Sequence, residues 1–389
     1  MTRHSDQRKS PVKRVALLCT ALNEVGGTSR HMVQICQAMD RKKFVPLIVF
    51  SSTDRPRLEA FFKDHGCPGD DLYFVPVVSR DPWGCCYALY KLWGRLKPDI
   101  VHSFFLHSDI LSWITTLFFR NIVRISSVEG KFIWDNVNGV GAFKNVCYRL
   151  LNRIMRSFFA RTIAVSSDLK REVVASGTRP EFVQVIGIGV PVPQGPFLRV
   201  PPDGRQTVGL LGRFSFDKGV DLFIEAAAQV SLRFPEVRFI VAGAGQELDR
   251  LRQLGRDLGI EAQLSFPGWV KDAASFFHEV DVFVMPSRRE GCPLALLEAM
   301  MQGKACVVFN APGINEIASH EMNALVVPCF DVKAMADAIV RLLEDTAFSA
   351  DLGSRARDVA MEKYTVEREL MLMEDVYLNC CPESSGHGE

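Results

Sequence analysis

Short apolar runs alternate with amphipathic stretches along almost the whole chain. RVALLCT (14–20) has the character of a buried strand, and Ser29 to Met39 after it carries apolar residues at helical spacing. PLIVFSS (46–52), DIVHSFF (99–105) and IVRISSV (122–128) repeat the strand pattern. TIAVSSDL (162–169) reads as a strand running into a helix, with Ser166 or Ser167 at the N-cap. VQVIGIGV (183–190) closes this half as a further strand. PVPQGPFLRVPPDGRQ (191–206) then breaks the pattern with five prolines and two glycines, and reads as a linker. The alternation restarts with strands at QTVGLLGR (206–213), VRFIVAGAG (237–245), DVFVMPS (281–287) and KACVVFN (304–310). Helices are predicted over Asp221 to Leu232 and over PLALLEAMMQG (293–303), and the last third is mostly helical to about Tyr377. The final residues, 380–389, are predicted to be a disordered tail.

Strands alternating with helices build parallel sheets from βαβ units. The expected fold class is therefore α/β, with two doubly wound Rossmann-like domains, 1–195 and 196–379, facing a central cleft. The last helices are expected to pack back toward the first domain. Ligands of such sheets bind beyond the carboxyl ends of the strands, so the loops there are where chemistry is sought.

Composition agrees with this picture. At roughly 100–200 residues per domain, 389 residues make two. The chain is 48% hydrophobic and 23% charged, enough apolar side chain to exclude disorder for its bulk. The apolar run Ile110 to Phe119 falls short of the ~20 residues a spanning helix needs. The polar, basic start MTRHSDQRKSPVKR lacks the apolar core of a secretory leader, so a cytoplasmic location is expected. The eleven cysteines sit mostly singly in apolar runs with no CxxC pair, which fits buried thiols better than zinc or disulfides. Charge is uneven: residues 1–200 hold 28 Lys and Arg against 16 Asp and Glu, and residues 201–389 hold 18 against 29. The first half is thus expected to face something anionic.

Five constellations carry candidate chemistry. In LLGRFSFDKG (210–219), Arg213 and Lys218 lie between a strand's carboxyl end and a helix start, where a planar fork and a mobile ammonium can clamp a diphosphate. In PSRREGCPLALLEAMMQG (286–303), Glu290 lies on a post-strand loop, where it can accept sugar hydroxyls. Glu298 lies on the helix after it, where it can accept a ribose diol. The pair Gly26–Gly27 in NEVGGTSRH (23–31) lets backbone amides approach an anion, with Arg30 and His31 opening the next helix. In NAPGINEIA (310–318), the amides of Ile314 and Asn315 after Pro312–Gly313 are expected to open a short helix and hold phosphate or sugar oxygens, with Glu316 in its first turn. Finally, Arg149, Arg153 and Arg156 share a face of the stretch 143–163. That face suits either an anionic membrane surface or ordinary solvent. His102 and His107 fall at or beyond a strand's carboxyl end. No Asp-x-Asp stands ready to hold a metal against a nucleotide diphosphate, and no P-loop or HExxH occurs. The fingerprint glycines and ribose acid of an NAD site are absent after the first strand.

Together these blocks resemble the retaining glycosyltransferases of family 4, the group 1 transferases with the GT-B fold. EGCPLALLEAMMQGKACVV followed by PGINEI carries the most specific match, and LLGRFSFDKGVDLFIEAA, FIVAGAG and AVSSDL match earlier blocks. The resemblance covers about Arg14 to Tyr377. It implies a catalytic set of Glu290, Arg213 and Lys218. Arg213 and Lys218 would hold the donor diphosphate, Glu298 the ribose, and Glu290, with Gly291 and Leu294 beside it, the donor sugar. Gly27 would approach the phosphates, and Gly313, Ile314 and Asn315 would sit beside the sugar. Arg30, His107 and Glu129 are assigned to the acceptor side. No metal and no cofactor is implied, because the nucleotide-sugar is a substrate and the leaving diphosphate is met by cations. Retention can proceed through a carboxylate nucleophile or by front-face attack, and the second is favoured.

Two positions depart from that pattern. Many relatives carry a histidine after the strand corresponding to IVRISSV, where this chain has Glu129 followed by Gly130. Ile188 stands where Asn often precedes the interdomain glycine. The expected function is transfer from a UDP- or GDP-sugar to a glycan or lipid-linked acceptor, as in polysaccharide biosynthesis. Peripheral contact with an anionic membrane, and no nucleic-acid partner, are expected. The alternatives are an epimerase or hydrolase of the same fold and a non-catalytic sugar-nucleotide-binding partner.

Overall fold

Thirteen described strands assemble into two sheets, and every pairing between neighbouring strands is parallel. The structure is a computed structural model that describes residues 12–20, 27–77, 80–130, 150–193, 204–270 and 272–381. Contacts group the chain into two units. One holds the residues up to Val165, Leu169–Ile186 and Glu369 onward; the other holds Ser166–Asp168 and Gly187–Arg368. The boundary expected at 195/196 lies outside the described residues. Val190 already belongs to the second unit, because its amide donates to Tyr364 O (2.8 Å) and it bridges to Thr365.

The first unit runs β1 (Lys13–Cys19), α1 (Gly27–Ala38), β2 (Phe44–Phe50), α2 (Arg55–Asp64), β3 (Leu72–Phe74) and α3 (Pro82–Leu96). It continues through β4 (Ile100–Phe104), α4 (Phe105–Thr115), β5 (Val123–Val128), the helical residues 150–156 (α5), β6 (Arg161–Ala164), α6 (Ser167–Ala175) and β7 (Val183–Val185). Its sheet has the order β3-β2-β1-β4-β5-β6-β7. The chain crosses the sheet one way from β1 to β3 and the other way from β3 to β7, and with the usual right-handed crossovers this order places α1 and α2 on one face and α3 to α6 on the other. Ala16, Leu18, Leu47 and Val101 of the sheet pack with Leu89, Trp93 and Leu111 of α3 and α4 on that second face.

The second unit runs β8 (Thr207–Leu211), α7 (Val220–Ser231), β9 (Arg238–Ala242), α8 (Leu248–Asp257), β10 (Leu264–Gly268), α9 (Ala273–Glu279) and β11 (Val282–Met285). Then come α10 (Leu294–Met301), β12 (Ala305–Phe309), β13 (Leu325–Val327), α11 (Val332–Glu344) and α12 (Thr346–Lys363). The last helix, α13 (Val366–Cys380), carries the chain back to the first unit from Glu369. The sheet order is β10-β9-β8-β11-β12-β13. The order reverses between β8 and β11, and such a reversal opens a crevice at the strands' carboxyl ends. No helix among the described residues is long and apolar enough to cross a membrane.

Some local expectations are corrected. The strand expected over 183–190 stops at Val185. Residues 311–318 form turns and no helix. The tail predicted from 380 starts inside α13, which extends through Cys380, while 382–389 lie outside the described residues. None of the ten described cysteines is in a disulfide.

Candidate functional site

In the second unit, three loops follow three adjacent strands. β8 leads to Arg213–Lys218, β11 to Ser287–Glu290, and β12 to the 310–316 segment. The first two flank the point where the strand order reverses. Arg213 is exposed just beyond β8. Lys218 ends a single tight turn, Phe216–Lys218, and Gly219 takes φ 65° to turn the chain into α7. A Cβ at Gly219 would fall 2.1 Å from Pro286 O, so only glycine lets these two loops lie against each other.

Lys218 and Glu290 meet there. Lys218 Nζ donates to Glu290 Oε1 at 2.6 Å and to Oε2 at 2.8 Å, in a partly buried pair. Asp217 lies within the field of both expected cations. Burial pushes its carboxyl up, but the Ser215 hydroxyl and the Lys218 and Arg213 charges more than offset this and hold it below the usual range. Glu290 N donates to Pro312 O at 3.0 Å, tying the second loop to the third. Gly313 (φ 79°) is required at that junction, since a Cβ would fall 2.2 Å from Glu290 O. Gly291 and Leu294 flank the start of α10, and Glu298 lies half-buried on that helix between buried Leu297 and Ala299.

Two residues outside the five constellations' named candidates, Arg288 and Asp168, hold this arrangement. Arg288 N donates to Asp217 O at 2.9 Å. The Arg288 guanidinium donates to Phe216 O and to both Asp221 oxygens (3.3 and 3.2 Å), and lies 3.9 Å from the Phe216 ring centroid. It thereby fastens the Lys218 turn to the Glu290 loop. Asp168, which groups with this unit, accepts from Gly313 N at 3.0 Å. Arg288 lies within the PSRRE block and could have been found there; Asp168 is 145 residues from Gly313 and no spacing signals it.

The expectation for the third loop needs correcting. Gly313 N is engaged by Asp168, and the amides of Ile314 and Asn315 both donate to Ala311 O (3.0 and 3.1 Å). These amides close a turn and do not point outward as a helix N-terminus. Glu316 is turned to other amides: its carboxylate accepts from Ser167 N and Asp168 N at 2.7 Å each, and both of these residues group with this unit.

The first unit holds a separate buried cluster. His31 of α1 meets Glu129 Oε1 through Nδ1 and Glu369 Oε1 through Nε2, both at 2.5 Å. Thr28 donates to Glu129 Oε2 at 3.1 Å. Burial alone would push His31 down, but the Glu369 and Glu129 charges outweigh it and hold the imidazole well above its ordinary value. Glu129, assigned above to the acceptor side, has both oxygens engaged inside the unit, one by His31 and one by Thr28. His102 is bonded to Tyr377 and Ser127 (2.7 Å each), and burial pushes it down to about 3. Gly27 is exposed at the start of α1, Arg30 is half-buried, and His107 is exposed on the first turn of α4. Gly26 lies outside the described residues.

The basic stripe is also corrected. Arg156 is buried, with Nη2 2.9 Å from Asp109 Oδ2 and Nη1 donating to Ser126 and Thr162. Arg153 is exposed and Arg149 lies outside the described residues.

The family described as Glycosyl transferases group 1 matches residues 198–359, and Glycosyltransferase Family 4 matches residues 25–193. The chain is 24% identical over 326 residues to the UDP-Gal:alpha-D-GlcNAc-diphosphoundecaprenol alpha-1,3-galactosyltransferase of Escherichia coli, covering 79% of this chain and 83% of that one. It is 29% identical over 371 residues to an uncharacterized glycosyltransferase of Methanocaldococcus jannaschii, covering 88% and 91%. Among solved structures it resembles Anabaena HepE in complex with UDP-glucose, with TM-score 0.79, 18% identity, and 94% and 99% of the two chains covered.

Proposed function

This chain belongs to the group 1, family 4-like glycosyltransferases with the GT-B fold, and from that membership we propose a retaining, metal-independent hexosyl transfer from a UDP- or GDP-sugar to a glycan or lipid-linked acceptor. One observation carries the reading. Arg213, Lys218 and Glu290 are held by laced loops at the carboxyl ends of adjacent β8 and β11, where the strand order reverses.

In this reading Arg213 and Lys218 face the donor diphosphate, and Glu298 takes the ribose. The acceptor hydroxyl oxygen forms a bond to the anomeric carbon while the bond from that carbon to the diphosphate oxygen breaks. The hydroxyl proton passes to the leaving oxygen, and the bond's electron pair stays on the nucleoside diphosphate. Fixed cations where this charge develops supply stabilisation that a divalent ion would otherwise provide. Front-face transfer is supported by the state of Glu290: one ammonium holds both its oxygens, which makes it a poor nucleophile toward the sugar. The name of the Escherichia coli relative, with a UDP-sugar donor and a diphosphoundecaprenol acceptor, supports the donor and acceptor classes.

The test is thermal stabilisation by UDP-, GDP-, ADP- and CMP-sugars in EDTA, for the wild type and for Glu298→Ala and Lys218→Ala. One nucleotide class should raise Tm in EDTA, and both variants should weaken the rise. Glu290→Ala should lower transfer by about a hundredfold or more. A Tm unmoved by every donor, or stabilisation that returns only with a metal, would overturn the reading. Full transfer by Glu290→Ala would break the assignment of that residue.

A further inference from the structure

The outer face of α3 is aromatic where a solvated helix would be polar. α3 buries Cys85, Leu89, Leu92, Trp93 and Leu96. On its other side Trp83, Tyr87 and Tyr90 are 84%, 63% and 46% exposed. At spacings of four and three they form one stripe. The Tyr90 and Phe119 rings lie 5.3 Å apart, which carries the stripe onto the turn after α4, where Phe118 is 81% exposed. Trp113 of α4 meets Phe158, exposed just past α5, at 5.7 Å. An apolar residue exposed singly is ordinary, whereas an aromatic stripe on α3, one ring pair joining it to the turn after α4 and a second joining α4 to the segment past α5 make a patch that fits a partner.

Charge selects that partner. Lys91 and Arg95 continue the α3 stripe, and Lys91 Nζ lies 5.3 Å from the Tyr87 ring centroid. Arg120 and Arg153 are exposed on the other two segments. Residues 82–161 hold eleven Lys and Arg against four Asp and Glu. Asp109 and Glu129 are buried, and Asp99 accepts from Arg14 N. Asp81, at the start of α3, is committed to Gly84 N at 2.8 Å. The patch thus combines Trp and Tyr with cations whose stems can lie on apolar surface. That is the composition of an element lying flat in a headgroup layer, whereas protein interface cores are depleted in lysine.

We propose that the α3–α4–α5 face of the first unit docks on an anionic lipid bilayer. Trp83, Tyr87 and Phe118 enter the headgroup–acyl boundary, and Lys91, Arg95 and Arg153 meet lipid phosphates. Arg156 takes no part, because Asp109 holds it inside. The proposal deepens the reading of a lipid-linked acceptor and rests on it for purpose, while its residues belong to the first unit and those of the proposed donor site to the second.

Flotation of the full chain with vesicles of phosphatidylcholine and phosphatidylglycerol in equal parts, and of phosphatidylcholine alone, tests it. The chain should float with the anionic vesicles, less so as salt rises. Trp83→Ala with Phe118→Ala, and Lys91→Glu with Arg95→Glu, should each weaken flotation by about tenfold or more. Both double variants should keep the wild-type Tm and its rise with donor. Failure of the wild type to float, or flotation unchanged in both variants, would overturn docking. So would self-association that Trp83→Ala with Phe118→Ala abolishes in a chain that does not float, which assigns the face to a second copy. Flotation without any donor effect would instead sink the transfer reading and leave docking standing.

Discussion

His31 and His102 lie in one core yet are pushed in opposite directions, because their partners differ. Two carboxylates flank His31, whereas His102 meets only hydroxyls, and the nearby His31 charge adds to its burial. The consequence is a stability optimum whose two sides have separate origins. The folded value of His31 lies above the unfolded ~6.5. Its contribution is therefore complete below that pH and is lost as pH rises through the folded value. His102, at about 3 when folded, must stay neutral while the unfolded chain takes up a proton, so stability also falls as pH drops from ~6.5 toward 3. Urea unfolding across pH should show both slopes; His31→Gln should flatten the alkaline one and, by removing a charge that helps to lower His102, ease the acid one slightly. Glu369→Gln should flatten it in part. An alkaline slope unchanged in both variants would rule out this origin.

At the scale of elements, the long apolar runs reveal themselves in the sequence and the short edges do not. β1, β2, β4, β8, β11 and β12 are four to seven residues buried on both faces, so they read as continuous hydrophobic runs. β3 and β13 have three residues each, and β10 is half-exposed and contains Pro267, so none carries a run to detect. Lys218 and Glu290 were legible because each follows a readable strand, while their direct pairing and the Arg288 brace depend on strand adjacency. Arg156 shows a different limit. Helical spacing puts it beside Arg153, but periodicity cannot say that Asp109 waits on the buried side and draws Arg156 in while Arg153 stays exposed. Burial raises the Asp109 carboxyl, and the Arg156 charge pulls it back only in part. Arg156→Leu should therefore cost about 3–5 kcal/mol by leaving that carboxylate unpaired. Adding Asp109→Asn should recover most of the loss, and chemical denaturation of the two single variants and the double variant reads it. Equal, additive losses would mean that the pair is not coupled.

At the scale of the whole molecule, the last helix ties the end of the chain into the core of the first unit. Leu370, Met373, Val376 and Tyr377 of α13 are buried there. Tyr377 bonds His102 and packs edge-on against Phe44, while Glu374 accepts from Asp40 N. At roughly 2 kcal/mol for each of those four side chains, their burial amounts to a sizeable part of a domain's net stability. A chain ending at Arg368 should therefore have a first unit that trypsin cleaves readily, while the second unit, which keeps its own sheet and core, remains protected. Donor-dependent protection of the second unit should survive, since Arg213, Lys218, Glu290 and Glu298 all lie within it. Tyr377→Phe, which removes only the hydroxyl bonded to His102, should cost about 1 kcal/mol and leave the cleavage pattern unchanged. If the truncated chain resisted trypsin as the full one does, the first unit would not need its returning helix. If truncation abolished donor protection as well, the two units would not be independent in stability and would unfold together.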